Sequence, residues 1–247
     1  MLIVNPAYPS ITENMLVPGY WGELARPVSV GGRGGAWFVT TEFGDMVLRE
    51  YRRGGWAARI SAKNYLFSGW CKTRSYREFS VLEALFRKGL PVPEPIAARA
   101  VRRGIFYQAD ILLKRIVGAV PWPEASNAVD KDLWFDIGTT IRRFHDAGLN
   151  HVDLNCDNVL VGNGHVYLID FDKCDIRRTE PGGLVKWKLK NLARLHRSLA
   201  KRMGAVDIES LWGSLMDGYH GASHKGKSSR RDSVLLITKP EFPTGKR

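Results

Sequence analysis

Apolar and polar positions alternate with two distinct periods along the chain. From Val28 to Glu50, β-branched and apolar residues flank Gly31-Gly32-Arg33-Gly34-Gly35, and Trp37-Phe38-Val39 follows on the far side. This predicts a strand, a glycine turn and a returning strand. After a second turn at Gly44-Asp45, Met46-Val47-Leu48-Arg49 predicts a third strand. Between Thr73 and Lys88 the period changes: Phe79, Leu82, Leu85 and Phe86 recur at helical spacing and the pattern stops at Gly89. Pro91, Pro93 and Pro95 then break the chain, and Ile105-Phe106-Tyr107 and Ile111-Leu112-Leu113 read as two further strands. A second amphipathic helix is expected from Asp132 to Ala147, with Leu133, Ile137, Ile141 and Phe144 on one face and Gly148 as its stop. A third, rich in Lys and Arg, is expected from Leu184 to Met203.

Strands then helices predict an α+β chain with a small antiparallel sheet followed by a mostly helical portion. The lobe boundary falls near Lys114 to Val120, dividing the chain into residues 1–115, 116–220 and a basic tail, 221–247. A length of 247 residues accommodates two small lobes around a shared cleft. The net charge of +12 calls for a polyanionic partner and does not choose among nucleic acid, an anionic membrane and a phosphorylated substrate. Residues after Gly221 carry +5 of it. Cys71, Cys156 and Cys174 form no C-x-x-C pair, which favours a reducing compartment. No basic, apolar leader and no long apolar run is present, so neither a secretory signal nor a membrane-spanning helix is expected.

The chemistry concentrates in His151-Val152-Asp153-Leu154-Asn155-Cys156-Asp157-Asn158-Val159-Leu160 and in Val166-Tyr167-Leu168-Ile169-Asp170-Phe171-Asp172. Together they resemble the catalytic and metal-binding loops of the protein-kinase-like superfamily, which implies its bilobal fold. The resemblance makes Asp153 the catalytic residue that orients the acceptor hydroxyl and takes its proton. It makes Asn158, five residues on, and Asp170, after a hairpin at Gly162-Asn163-Gly164, the ligands of Mg²⁺. Gly32, Gly34 and Gly35 could lay backbone N–H groups over the phosphates of ATP. Arg49 stands where the family carries a strand-three Lys, with Glu78 as its partner on the following helix. His151 reads as a structural loop residue, and Cys156 and Cys174 as bystanders.

Departures from the protein-kinase pattern narrow the class. Val152 replaces an Arg, Asn155 a Lys and Asp172 the Gly of the metal-binding tripeptide. No A-P-E sequence follows, and the segment before the helix near Trp187 is too short for a phosphoregulated activation loop. These absences argue against a regulated protein kinase.

With Gly32-Arg33-Gly34-Gly35-Ala36-Trp37-Phe38, Leu48 to Gly55, Thr73-Arg74-Ser75-Tyr76-Arg77-Glu78 and His151 to Asn155, residues 20 to 200 resemble bacterial 3-deoxy-D-manno-octulosonic acid (Kdo) kinases. That resemblance implies transfer of the ATP γ-phosphate to the 4-hydroxyl of Kdo in Kdo-lipid A, by a peripheral protein at the cytoplasmic face of the inner membrane. Residues 49 to 77 hold eight Lys or Arg, one acid and interleaved aromatics, which suits an anionic glycolipid or the anionic inner-membrane surface. A solvated basic face around core aromatics is the alternative reading. Other readings of the whole are a small atypical protein kinase, an antibiotic phosphotransferase, and a catalytically idle nucleic-acid-binding module. Intact Asp153, Asn158 and Asp170 and the lack of an RRM, KH or zinc-finger signature weigh against the last, so nucleic acid is not an expected partner. No obligate protein partner is evident.

Overall fold

A computed structural model describes residues 1–28, 35–52, 63–178, 185–204 and 206–221. Its strands in chain order are β1 (Leu2–Val4), β2 (Ala25–Pro27), β3 (Ala36–Thr41), β4 (Gly44–Glu50), β5 (Tyr65–Leu66), β6 (Pro95–Arg103), β7 (Phe106–Lys114), β8 (Val120–Pro121), β9 (Leu149–Asn150), β10 (Val159–Gly162), β11 (His165–Leu168) and β12 (Asp175–Ile176). The α-helices are α1 (Pro18–Trp21), α2 (Arg74–Arg87), α3 (Lys131–Asp146), α4 (Lys186–Arg202) and α5 (Ile208–His220). The α+β, bilobal protein-kinase-like architecture is present.

Among the described residues, β1, β6, β7, β4, β3 and β2 lie side by side in that order, and β5 pairs with β7 to complete a seven-stranded antiparallel sheet. Strand alternation gives the sheet two faces. Met46, Leu48, Ile96 and Leu112 pack with Ile11 and Leu16 from the N-terminal segment. Ala98, Ala100, Ala109 and Ile111 pack with Phe79, Leu82 and Leu85 of α2. Arg49 is in register with Ile111, so it belongs to the α2 face. Burying Phe79, Leu82 and Leu85 contributes about 1.5–3 kcal/mol apiece relative to exposure, which secures α2 and therefore Glu78 against the sheet. Phe86, the last member of the predicted stripe, is exposed at the helix end.

Two expectations about this sheet need correction. Ile105-Phe106-Tyr107 and Ile111-Leu112-Leu113 belong to one continuous strand, β7, with Ile105 in the turn before it. Its partner β6 begins at Pro95, where the proline stretch had implied a break. Pro is tolerated at the first residue of a strand, where its missing N–H costs the ladder least. Further along β6, Ala98 and Ala100 are fully buried, and their small side chains let α2 pack closely on the sheet. The predicted glycine turn lies in residues 29–34, outside the described residues, although the Val28 amide donates to the Ala36 carbonyl at 3.0 Å and extends the β2–β3 pairing. Tail residues 222–247 also lie outside them.

The helical portion is built on α3, capped by the Asp130 carboxylate accepting from the Asp132 amide at 2.9 Å. Its buried side, Leu133, Ile137, Ile141 and Phe144, matches the predicted stripe. The unpredicted helix α5 crosses it at very short range. A Cβ on Gly138 would lie 1.9 Å from the Leu215 carbonyl oxygen, and one on Gly218 would lie 2.0 Å from the Phe135 carbonyl oxygen. The two glycines are what let the helix backbones touch. Gly218 also explains why α5 is hard to see in sequence, since Gly inside a helical pattern reads as a breaker.

Candidate active site

The candidate site lies where β4, α2, α4 and the loop between β9 and β11 converge. Its loop is shaped by asparagines. The Asn155 side-chain oxygen accepts from the amides of Asp157 at 2.9 Å and Asn158 at 3.1 Å, capping a short 3₁₀ turn over Cys156–Asn158. The side-chain nitrogens of Asn155 and Asn158 both donate to the Asp153 carbonyl, at 3.1 and 3.0 Å. Asp153 is thereby held in a backbone cage with its side chain half exposed.

β10 and β11 form the hairpin predicted from Gly162-Asn163-Gly164. Asn163 and Gly164 both have positive φ, 53° and 73°, the pairing that a tight two-residue turn requires. The hairpin returns Ile169, whose amide donates to the Asn158 carbonyl at 3.0 Å, and so sets Asp170 beside the loop. Asp170 itself has φ 62°, a left-handed conformation that costs a side-chain-bearing residue energy and that Asp tolerates better than most. Beneath it, the His151 Nε2 lies 3.0 Å from the Ile169 carbonyl, and because a carbonyl can only accept, this nitrogen carries the proton. Burial pushes the His151 pKa down, so the ring is a neutral strut.

Arg49 ties the sheet to this loop. Its Nη1 donates to Asp170 Oδ1 at 2.6 Å while its Nη2 is ion-paired with Glu78. Tyr51 adds a hydroxyl donor to the same Glu78 oxygen, and all three side chains are wholly or largely buried. Burial raises the Glu78 pKa against the pull of Arg49. Burial also pushes Asp170 up, but the Arg49 guanidinium outweighs it and holds that carboxyl below the usual range. Asp170 is therefore a carboxylate at neutral pH.

The donor set of Asp170 and Asn158 fits Mg²⁺. Asn158 commits its amide nitrogen to Asp153, leaving its oxygen as the remaining donor, and Asp170 Oδ2 has no hydrogen-bond partner among the described residues. A hard cation takes carboxylate and amide oxygens of this kind. Among the described residues no cluster of three His, Cys, Asp or Glu side chains could hold a metal, so phosphate oxygens and water would have to complete its shell.

Of the glycine positions, Gly32 and Gly34 lie outside the described residues. Gly35 packs against the end of β4: an added Cβ would sit 3.0 Å from the Glu50 carbonyl oxygen and 3.2 Å from the Arg52 side chain. The basic stretch is less free than its composition implies. Arg52 and Lys63 are both ion-paired with Glu50, Arg49 with Glu78 and Asp170, and Arg74 with Asp172. Arg53 and Arg59 lie outside the described residues. Cys156 and Cys174 are buried, and burial raises both thiols, which disfavours the thiolate form.

Two arginines were not legible as site residues. Arg74, at the start of α2, pairs with Asp172 through its Nε at 2.8 Å and lies over the rings of Tyr51 and Tyr65. The carboxylate that replaces the tripeptide glycine thus has a cationic partner across the cleft. Arg194 of α4 is ion-paired with Asp153 from 41 positions away. No spacing rule connects the two.

Comparison with known proteins identifies the family and the fold. The model of the lipopolysaccharide kinase (Kdo/WaaP) family matches residues 19–219. A 3-deoxy-D-manno-octulosonic acid kinase of Xanthomonas campestris pv. campestris (strain B100) is 47% identical over 189 residues, 76% of this chain and 74% of the relative. The enzyme of the same name from Xylella fastidiosa (strain M23) is 44% identical over 204 residues, 82% and 80% of the two chains. Among solved structures, WaaP in complex with acyl carrier protein superposes with TM-score 0.53 at 16% identity, covering 90% of each chain. Aminoglycoside-3'-phosphotransferase of type VIII gives TM-score 0.53 at 15% identity, covering 83% of this chain and 89% of that one. These two likenesses speak to the fold.

Proposed function

The chain belongs to the lipopolysaccharide kinase (Kdo/WaaP) family and is a phosphotransferase, and from that premise we propose that it moves the γ-phosphoryl group of ATP to the 4-hydroxyl of Kdo in Kdo-lipid A. One observation carries the proposal: the Asp153 carboxylate, the Asn158 amide and the Asp170 carboxylate are assembled on a single asparagine-braced loop and hairpin, with Arg49 and Glu78 behind them.

Each side chain has a distinct task in this reading. Asp153 accepts a hydrogen bond from the acceptor hydroxyl, aligns its oxygen with the phosphorus and receives its proton as the new bond forms. Asp170 and Asn158 offer the oxygens that would hold Mg²⁺. The bound cation would neutralise charge on the phosphate oxygens during transfer. Arg49 is the cation of the strand-three position, fixed between Glu78 and Asp170 beside the proposed metal site. Gly32, Gly34 and Gly35 would lay backbone N–H groups over the phosphates of the nucleotide, the role that the resemblance implies for them.

Residues 1–115 would form the nucleotide-covering lobe and 116–220 the lobe that carries the acceptor site, with the product made at the inner-membrane surface. No helix among the described residues is long and apolar enough to cross a membrane, so association with the bilayer would be peripheral. The tail beyond Gly221, +5 by sequence, would supply charge for that surface, with a smaller share from residues 49 to 77, where Arg49, Arg52, Lys63 and Arg74 are already ion-paired. Purified protein with ATP and Mg²⁺ should phosphorylate Kdo-lipid A in preference to an aminoglycoside and a generic protein substrate. Transfer to either of the latter in its place would reject the assignment.

A further inference from the structure

The proposed catalytic carboxylate has a cation that the reaction scheme does not use. Asp153 Oδ1 is ion-paired with the Arg194 guanidinium, and the two side chains are 45% and 47% exposed. An ion pair this open to water adds little to folding. Its placement is nevertheless well determined. The Asn191 side-chain oxygen accepts from the His151 amide at 3.0 Å, and the Ser198 hydroxyl oxygen accepts from the Cys156 amide at 2.9 Å. Asn191 is further tied to Asn150 at 3.1 Å, and Ser198 donates back to the Leu195 carbonyl at 2.7 Å. These bonds grip the loop on either side of Asp153 and the helix on either side of Arg194. With Leu192, Leu195 and Leu199 buried along the same helix, α4 cannot slide or turn relative to the loop.

A guanidinium is thus built into the place where the acceptor hydroxyl must arrive. The acceptor, on the reading given above, is a 2-ulosonic acid. Its carboxylate is attached at ring carbon C2, two ring carbons from C4, whose hydroxyl receives the phosphoryl group. With that hydroxyl on Asp153, the sugar carboxylate lies within one side-chain length of the same point and approaches another carboxylate. A planar guanidinium with several N–H donors can serve both anions at once, which a single ammonium does less well. A neutral sugar in the same position would leave that cation without its second partner.

We infer that Arg194 is the acceptor-recognition residue of this enzyme, pairing with the carboxylate of the ulosonic acid while it holds Asp153 toward the 4-hydroxyl. The inference rests on the Kdo acceptor proposed above. Charge-assisted hydrogen bonds of this type correspond to roughly 10- to 150-fold in binding.

The test is a kinetic cycle of two acceptors and three proteins: Kdo-lipid A and its carboxyl methyl ester, with wild type, Arg194→Gln and Arg194→Lys. Arg194→Gln should raise the acceptor KM about 10- to 100-fold with the KM for ATP unchanged, and Arg194→Lys should recover part of the loss. The ester should penalise wild type by a similar factor and penalise Arg194→Gln hardly at all, because the interaction is already gone. Losses that simply multiply, with the ester as damaging to Arg194→Gln as to wild type, would overturn the inference while leaving the acceptor assignment intact. Absence of transfer by wild type to the acid itself would overturn both.

Discussion

Arg49 Nη1 donates to Asp170 Oδ1 at 2.6 Å across 121 positions of chain, joining β4 to the segment that follows the β10–β11 hairpin. The same guanidinium meets Glu78, whose side chain is buried between α2 and the sheet. One cation therefore fixes the helix, the strand and the loop relative to one another.

Removing that cation strands a buried carboxylate. Arg49→Ala should destabilise the fold by roughly 3–5 kcal/mol, read from urea unfolding, because Glu78 would remain with only the Tyr51 hydroxyl as partner. The double variant Arg49→Ala/Glu78→Gln should regain part of this. Equal stability of wild type and Arg49→Ala would show that the triad contributes nothing to the fold.

The Asp170 carboxylate should matter to metal-dependent nucleotide binding. Asp170→Ala is expected to lose most of the difference between ATP affinities measured by calorimetry with and without Mg²⁺, and Asn158→Ala to lose less of it. An unchanged metal dependence in Asp170→Ala would assign the ligand to another residue.

Stability should fall on acidification through a known group. His145 is buried between α3 and α5, with Nδ1 2.7 Å from the Tyr219 hydroxyl and with Lys188 and Asp146 nearby. Burial, reinforced by the Lys188 charge, depresses its pKa from 6.5 to about 3. Between those values the unfolded chain binds a proton that the folded chain does not. Its contribution is therefore intact above about pH 6.5 and declines as pH falls toward 3, at up to about 1.4 kcal/mol per pH unit. Unfolding curves from pH 7 to 5 should show a shallower decline for His145→Gln than for wild type. Parallel curves would contradict this origin.

Gly138 tests the close crossing of α3 and α5. Gly138→Ala places a methyl group 1.9 Å from the Leu215 carbonyl oxygen and should cost about 1–3 kcal/mol or more, with turnover per folded molecule retained. A neutral substitution would mean the helices part without strain.

How legible the site was depended on whether its residues announce themselves locally. The α2 and α3 stripes at Phe79, Leu82 and Leu85 and at Leu133, Ile137, Ile141 and Phe144 follow helical periodicity, and the structure buries every one of these residues. Asp153, Asn158 and Asp170 were legible together because their segments resemble the catalytic and metal-binding loops of the protein-kinase-like superfamily, and the loop and hairpin set those segments side by side. β6 was obscured by its alanines and leading proline, and α5 by two internal glycines, of which Gly218 is required by packing against Phe135 rather than by propensity. Arg194 and Arg74 reach the site only through tertiary contacts between distant segments, one across 41 positions and the other across 98. Composition likewise overstated the free charge at residues 49 to 77, because Glu50, Glu78, Asp170 and Asp172 pair with Arg49, Arg52, Lys63 and Arg74 only once the chain is folded.

The proposed role of Asp153 is to direct phosphate to one hydroxyl of one sugar. The most direct measurement is NMR assignment of the phosphate position on Kdo-lipid A after reaction with ATP and Mg²⁺, run beside a rate comparison of wild type and Asp153→Asn. The expected result is phosphate on the 4-hydroxyl, with the rate reduced about 10²- to 10⁴-fold in a variant that folds and binds ATP normally. Phosphate elsewhere on the acceptor, or near-normal transfer by folded Asp153→Asn, would contradict it.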